Sequence, residues 1–309
     1  MITYYYKNLR ATKVSQLEEY KPGTWVHVEA PTPEEVSAFT KQFKLEPGLL
    51  EDALDPDEMP RLQKEGSLTY LFIRFAYTGS NGELTTAPLL FIIGANLFMT
   101  ISPNPLPRLQ KFVAGGIDFA TTQRTRLLLM VLDQVFERYE QLINRVGRQI
   151  NATRSRLKGH QINNQDFVDF VVIEDELNEF LSALEPTTVI LRRLLAGKHV
   201  QLFEEDQDLV EDLLLNNEQS IEACRTHVKS ITSIREAYST IASNNLNHTM
   251  KLLTAATVII ALPNVIFGMY GMNVDIPFQH EPWMYPVVVL ASLLLCVTVY
   301  TIGRKKHIF

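Results

Sequence analysis

Asn247, Thr254, Thr257 and Asn264, with Gly268, recur at helical spacing in and around an apolar stretch that runs from about Met250 to Tyr270. Polar groups at bilayer depth usually face a bundle interior or a water-filled path, so this pattern points to passage of something hydrated rather than to plain anchoring. A second chemical signal is acidic. Glu204, Glu205, Asp206, Asp208, Glu211, Asp212, Glu218 and Glu222 follow one another with no Lys or Arg among them. Two readings stay open for that run: a solvated helix face whose first turn suits the helix dipole, or a dense surface of hard oxygen ligands for divalent cations. The basic stretch Arg145, Arg148, Arg154, Arg156 and Lys158 could neutralise it in the fold.

Other chemistry is thinly represented. The seven histidines are scattered, without a His-Glu-x-x-His pair, a phosphate-cradling glycine loop or a nucleophile elbow, and no enzyme is expected. A formal charge of −6 argues against a nucleic-acid partner. Cys224 and Cys296 are too few for a disulfide framework or a zinc site, and no organic cofactor is implied. With 46% hydrophobic and 21% charged residues the chain is an ordinary globular composition, into which two short spans have been diluted.

The elements that must position these groups can be read along the chain. Residues 1–115 read as mixed α and β: a strand at Trp25-Val26-His27-Val28, then a helix opened by Thr32 as N-cap, Pro33 and Glu35 in a capping box. Leu68 to Tyr77, Leu89 to Ile93 and Leu97 to Ile101 are rich in β-formers, with the turn Gly79-Ser80-Asn81-Gly82 between the first two. Ser102 to Pro107 breaks the pattern, and Gly115-Gly116 reads as loop. Helical spacing follows from about Thr122 to Lys158 and from Asp166 to Ala196, with Gly159 and Gly197 marking the ends. No glycine or proline then interrupts the chain until Pro263, so one helix from about Glu204 to Tyr270 is expected, on the order of 100 Å long. Such a helix needs partners along its length. We therefore expect an α+β domain (1–115), a helical stalk (116–245) and a two-helix membrane hairpin (246–309).

Each apolar stretch of the hairpin, Met250 to Tyr270 and Trp283 to Gly303, is about 21 residues long, enough to cross a ~30 Å hydrocarbon core. Residues 271–283 carry Asp275 and Glu281 and no Lys or Arg, whereas Arg304-Lys305-Lys306 follow the second span. The positive-inside rule puts that basic end, and with it the large N-terminal part, in the cytoplasm of a cell inner membrane. The N-terminal residues Met1 to Lys7 do not read as a signal peptide. Two helices cannot enclose a water path, so a ring of identical subunits is required, with the polar first span inside and the nearly pure apolar second span facing lipid.

Tyr270-Gly271-Met272-Asn273 resembles the Gly-Met-Asn signature of the CorA family of magnesium channels, which closes the first of two C-terminal spans. Leu50-Glu51-Asp52-Ala53-Leu54-Asp55 with Pro60-Arg61 resembles that family's N-terminal helix motif, and Met250-Lys251-Leu252-Leu253-Thr254 the start of its first span. The resemblance covers essentially the whole chain. It implies a funnel-shaped homopentamer, gated by internal magnesium, that passes magnesium and often cobalt or nickel down their gradient. A selective mouth should bind hydrated magnesium rather than strip it, and five Asn273 amides could accept hydrogen bonds from its water. Gly271 then allows the close backbone approach and unusual dihedrals that end the helix, and Met272 is packing, since a thioether suits a hard cation poorly. Asn247, Met250, Leu253, Ala261, Asn264 and Gly268 are the expected pore-lining positions, on helical spacing and this resemblance. Better-known members hold regulatory magnesium between an acid of the N-terminal domain and one on the long helix of a neighbouring subunit. Asp212 matches the second, and Glu83 is the acid that the turn offers for the first. The outer loop has Asp275-Ile276-Pro277-Phe278 and Glu281 where many members have Met-Pro-Glu-Leu. A related branch with Gly-Ile-Asn transports zinc, and a membrane-tethered sensor or scaffold without a pore is the alternative of a different class.

Overall fold

The computed structural model describes residues 1–79, 82–158, 164–197, 200, 202–274, 278 and 281–305. It divides into two compact units, Met1–Ser233 and Ile234–Phe309.

The first unit is built on a seven-stranded sheet. Its strands are β1 (Ile2–Tyr6), β2 (Ser15–Leu17), β3 (Trp25–Glu29), β4 (Arg61–Glu65), β5 (Leu68–Thr78), β6 (Leu84–Ile93) and β7 (Phe98–Ser102), in the order β2-β1-β3-β7-β6-β5-β4. All neighbours are antiparallel except β3 and β7, which run parallel with Trp25 opposite Phe98. That one parallel pair needs a long connection, and the chain supplies it with two helices and the three strands β4, β5 and β6. The helices are α1 (Pro33–Phe43) and α2 (Pro47–Asp52). Thr32 caps α1: its hydroxyl accepts from the Glu35 N–H, and Glu35 accepts from the Thr32 N–H at 3.0 Å, the box expected from the sequence.

The motif around Leu50 and Arg61 is only partly helical. Helix α2 stops at Asp52, and Arg61 opens strand β4. Arg61 reaches back to Asp52 at 2.6 Å, pairs with Glu58, and stacks its guanidinium over Phe72. The arginine thus folds the segment between helix and strand onto the sheet.

After α3 (Gln110–Val113) come α4 (Arg124–Lys158), α5 (Asn164–Leu195), α6 (Glu204–Tyr270) and α7 (Met284–Lys305). Gly159 lies outside the described residues; Gly197 ends α5 in a left-handed conformation, φ 69°. Helices α4 and α5 pack on the sheet through a fully buried Tyr139, whose hydroxyl donates to the Arg74 carbonyl and whose ring meets Phe180 edge-on at 5.2 Å. Glu179 of α5 accepts from the Thr85 hydroxyl and from the Thr86 N–H and hydroxyl, and Thr86 in turn accepts from the buried Arg74 guanidinium. Inside this unit α4 and α6 come close: a Cβ built on Gly147 would sit 2.7 Å from the His227 ring.

The second unit holds the last stretch of α6 and all of α7, both long and apolar enough to cross a membrane. None of the most apolar window of α6 is buried.

Candidate functional site

In the apolar stretch of α6 from Met250 to Tyr270, the side that is half covered consists of Ala255, Ile259, Leu262, Pro263, Ile266 and Tyr270. Helix α7 approaches here: the Cys296 thiol donates to the Ile259 carbonyl at 3.5 Å. The six residues expected to line a pore are all exposed. By the 3.6-residue period, Met250, Leu253, Ala261, Asn264 and Gly268 fall on the opposite side of the cylinder, and Asn247 at its margin. One chain therefore leaves this face open, with nothing within 4 Å of a Cβ built on Gly268.

The polar groups on α6 are not equivalent. Thr254 and Thr257 donate to the carbonyls of Met250 and Leu253, each at 2.9 Å, so their hydroxyls are satisfied within the helix. Among the described residues the amides of Asn247 and Asn264 find no hydrogen-bond partner. The threonines say little about a polar path. The asparagines carry that signal.

At the turn, the Gly271 N–H donates to the Phe267 carbonyl at 2.9 Å and the Met272 N–H to the Met269 carbonyl at 3.3 Å. A Cβ at Gly271 would lie 3.3 Å from the Phe267 carbonyl oxygen. The glycine eases this close approach and is not needed for unusual dihedrals, because its φ is outside the left-handed region. Met272 is 54% exposed and packs little within one chain, and Asn273 is exposed beside it. Asp275 lies outside the described residues; Glu281 is exposed and opens the turn into α7, its carbonyl accepting from the Met284 N–H.

The acidic start of α6 belongs to the first unit. Glu205 pairs with Arg126 of α4 and Glu218 with Arg192 of α5, both at 2.8 Å. Among the described residues the stretch from Arg145 to Arg156 does not pair with this run; Arg156 instead pairs with Asp166. Asp206, third in the helix, is buried and reaches back to accept from the Phe203 N–H, as the inner residue of a capping box does. Asp212 lines a cleft of about 690 Å³ with Asp133, Gln134, Arg126 and Asn216. Burial pushes the Asp133 carboxyl above its usual range, and the neighbouring charges of Glu137 and Asp212 push it further, against a lowering bond from Gln134. Sequence reasoning missed Asp133; its only signal there was an acidic series at Asp133, Glu137 and Glu140 on one helix face.

Glu83 sits elsewhere. Its carbonyl accepts from the Gly79 N–H, and the next residue donates its N–H to Glu176, whose carboxyl is raised first by burial and then by charges that include Glu83. A single chain therefore does not bring Glu83 to Asp212, and among the described residues no three His, Cys, Asp or Glu side chains converge as a metal cage.

Comparison with known proteins agrees with this architecture. The family model described as CorA-like Mg2+ transporter protein matches residues 21–305. The chain is 24% identical to the "Cobalt/magnesium transport protein CorA" of Methanocaldococcus jannaschii, over 92% of this chain and 91% of that one. It is 23% identical to the "Magnesium transport protein CorA" of Wolinella succinogenes, over 91% and 90%. The complete structure of the CorA magnesium transporter from M. jannaschii superposes with a TM-score of 0.88 at 20% identity, covering 99% of this chain and 98% of that one. This chain belongs to the CorA-like Mg2+ transporter family, a family of ion transporters and not of enzymes.

Proposed function

We propose that five copies of this chain form a divalent-cation channel in the cytoplasmic membrane, with both termini inside, and that magnesium enters through it passively. Cobalt and nickel are the further candidate cargoes. The observation that carries this reading is the exposed face of α6, where the Asn247 and Asn264 side-chain amides have no partner among the described residues and the Gly271–Asn273 turn closes the helix. An unpaired amide in hydrocarbon costs several kcal/mol, roughly, so such a face needs water or like faces around it.

Around a symmetry axis, Asn273 would accept hydrogen bonds from the water of hydrated magnesium and release it readily, since a neutral amide holds a cation less tightly than a carboxylate does. Met250 and Leu253 would form an apolar constriction that gates by dewetting. Regulation would use Asp212. Internal magnesium between Asp212 and acids that face it, Asp133 in the same chain or Glu83 from a neighbour, would screen their repulsion and favour the closed ring. When internal magnesium falls, repulsion would loosen the subunits, because a ligand shifts such an equilibrium only through its different affinity for the two states.

The test is cation influx into liposomes holding the purified full-length protein, run with magnesium, cobalt, nickel and zinc. Magnesium influx down its gradient is expected. No influx of any cation would leave a tethered sensor or scaffold; zinc alone would assign the zinc branch. Asp212→Lys should weaken closure by internal magnesium, and unchanged closure would make the acidic run a solvated face.

A further inference from the structure

Within α6, level with the C-terminal part of α7, the second unit holds a groove of about 630 Å³ between the two helices. Asn244, His248 and Lys251 line one part of it, Ala255, Val258 and Val299 another, and Asn247, Met250 and Thr254 the edge that it shares with the exposed face of α6. The Cys296–Ile259 contact sets the antiparallel register of the two helices. Arg304 lies eight residues beyond Cys296 and Lys251 eight before Ile259, so the two cations come level. Val299, between them, shares the groove with Ala255 and Val258, as that register requires.

Nothing nearby neutralises these cations. The sequence has no Asp or Glu between Glu236 and Asp275, and none after Glu281. Among the described residues Lys251, Arg304 and Lys305 have no acidic partner. An uncompensated cationic mouth above an apolar trench is complementary to one kind of molecule, an anion that carries a hydrocarbon chain. Lysine and arginine at this depth extend their heads to the interface and attract anionic headgroups. A free anion would leave the trench bare, and a zwitterionic lipid would bring its own cation to the mouth.

The geometry points to a site for an anionic phospholipid, with the headgroup phosphate at Lys251 and Arg304 and one acyl chain along Ala255, Val258 and Val299. The site rests on the orientation proposed above only for its assignment to the cytoplasmic leaflet. Binding is read from the immobilised fraction of spin-labelled phosphatidylglycerol or phosphatidylcholine around the full-length protein in phosphatidylcholine vesicles. The wild type should favour phosphatidylglycerol several-fold. Lys251→Gln with His248→Gln should bring the two lipids close to equal, and Val258→Trp should reduce immobilisation of both. Equal association in the wild type, a preference untouched by Lys251→Gln, or displacement of phosphatidylglycerol by inorganic phosphate would each overturn the site. So would a groove filled by another copy's helix, which would show as no immobilised lipid in the wild type and a changed oligomer in Val258→Trp. Magnesium influx measured in the same vesicles separates the two readings: its absence in the wild type counts against the channel, and leaves the lipid preference to be judged alone.

Discussion

The two compact units treat their polar and apolar groups in opposite ways. In Met1–Ser233, Trp25, Phe72, Leu89 and Phe91 are fully buried, and the buried Arg74 guanidinium donates to the Pro56, Glu58 and Thr86 carbonyls and the Thr86 hydroxyl. In Ile234–Phe309, Leu253, Ile260, Val265, Leu290 and Leu293 are exposed, and the side-chain amides of Asn247 and Asn264 are among those that find no partner among the described residues. The first unit closes a core from its own chain. The second leaves apolar surface open that one chain does not cover; the channel proposed above would set lipid on one side of it and copies of the chain around a wet axis on the other.

This contrast can be broken by experiment. Asn273→Ala should have the largest effect, cutting magnesium influx by at least about tenfold, or ~1.4 kcal/mol of barrier, while assembly and thermal stability stay unchanged. Influx at the wild-type rate would remove Asn273 from the conducting path. Trp25→Ala should do the reverse. It empties a site ringed by Tyr5, Phe98, Phe112 and Phe119 and should lower the unfolding free energy by about 3–5 kcal/mol in denaturant titration. A loss well under this range would mean that the core is less complete than it looks.

Asp133→Asn tests a place in the first unit where like charges are held together. A raised folded-state pKa means that the folded chain holds the proton more tightly, so the stability linked to Asp133 is present at acid pH and lost as pH rises through that pKa. The variant should melt above the wild type at neutral pH. The gap should shrink as pH falls through the carboxylate range, and also when magnesium is added, if a cation meets Asp133 and Asp212. Thr254→Val should have the smallest effect, influx within about twofold, because its hydroxyl already bonds to the Met250 carbonyl. A large loss would put that hydroxyl on the ion path.

Local signals carried much of this fold. The acidic first turn at Glu204, and the lack of glycine or proline before Pro263, located α6, and Thr32 with Glu35 located the start of α1. Strands β1, β2 and β4 were not read. In β4 only Leu62 is buried, and Arg-Leu-Gln-Lys-Glu becomes strand because it lies along the edge of β5, a tertiary cause with no local trace. The partners of the acidic run were misread for the same reason. Helix packing, not charge along the sequence, decides that Arg126 and Arg192 meet it. Asp133 beside Asp212 is likewise a product of how α4 meets α6.

The parallel pairing of β3 with β7 also has a consequence for how the chain is made. Trp25 donates to Thr100, 75 residues later, and the Lys7 N–H to Thr121, 114 residues later. Neither bond can form until those distant residues have left the ribosome, whereas the β5–β6 hairpin closes from neighbours as it emerges. Thr121 is nevertheless translated long before Met250, the start of the first apolar stretch. The sheet can therefore close around Trp25 while the last two apolar stretches of the chain are still unmade.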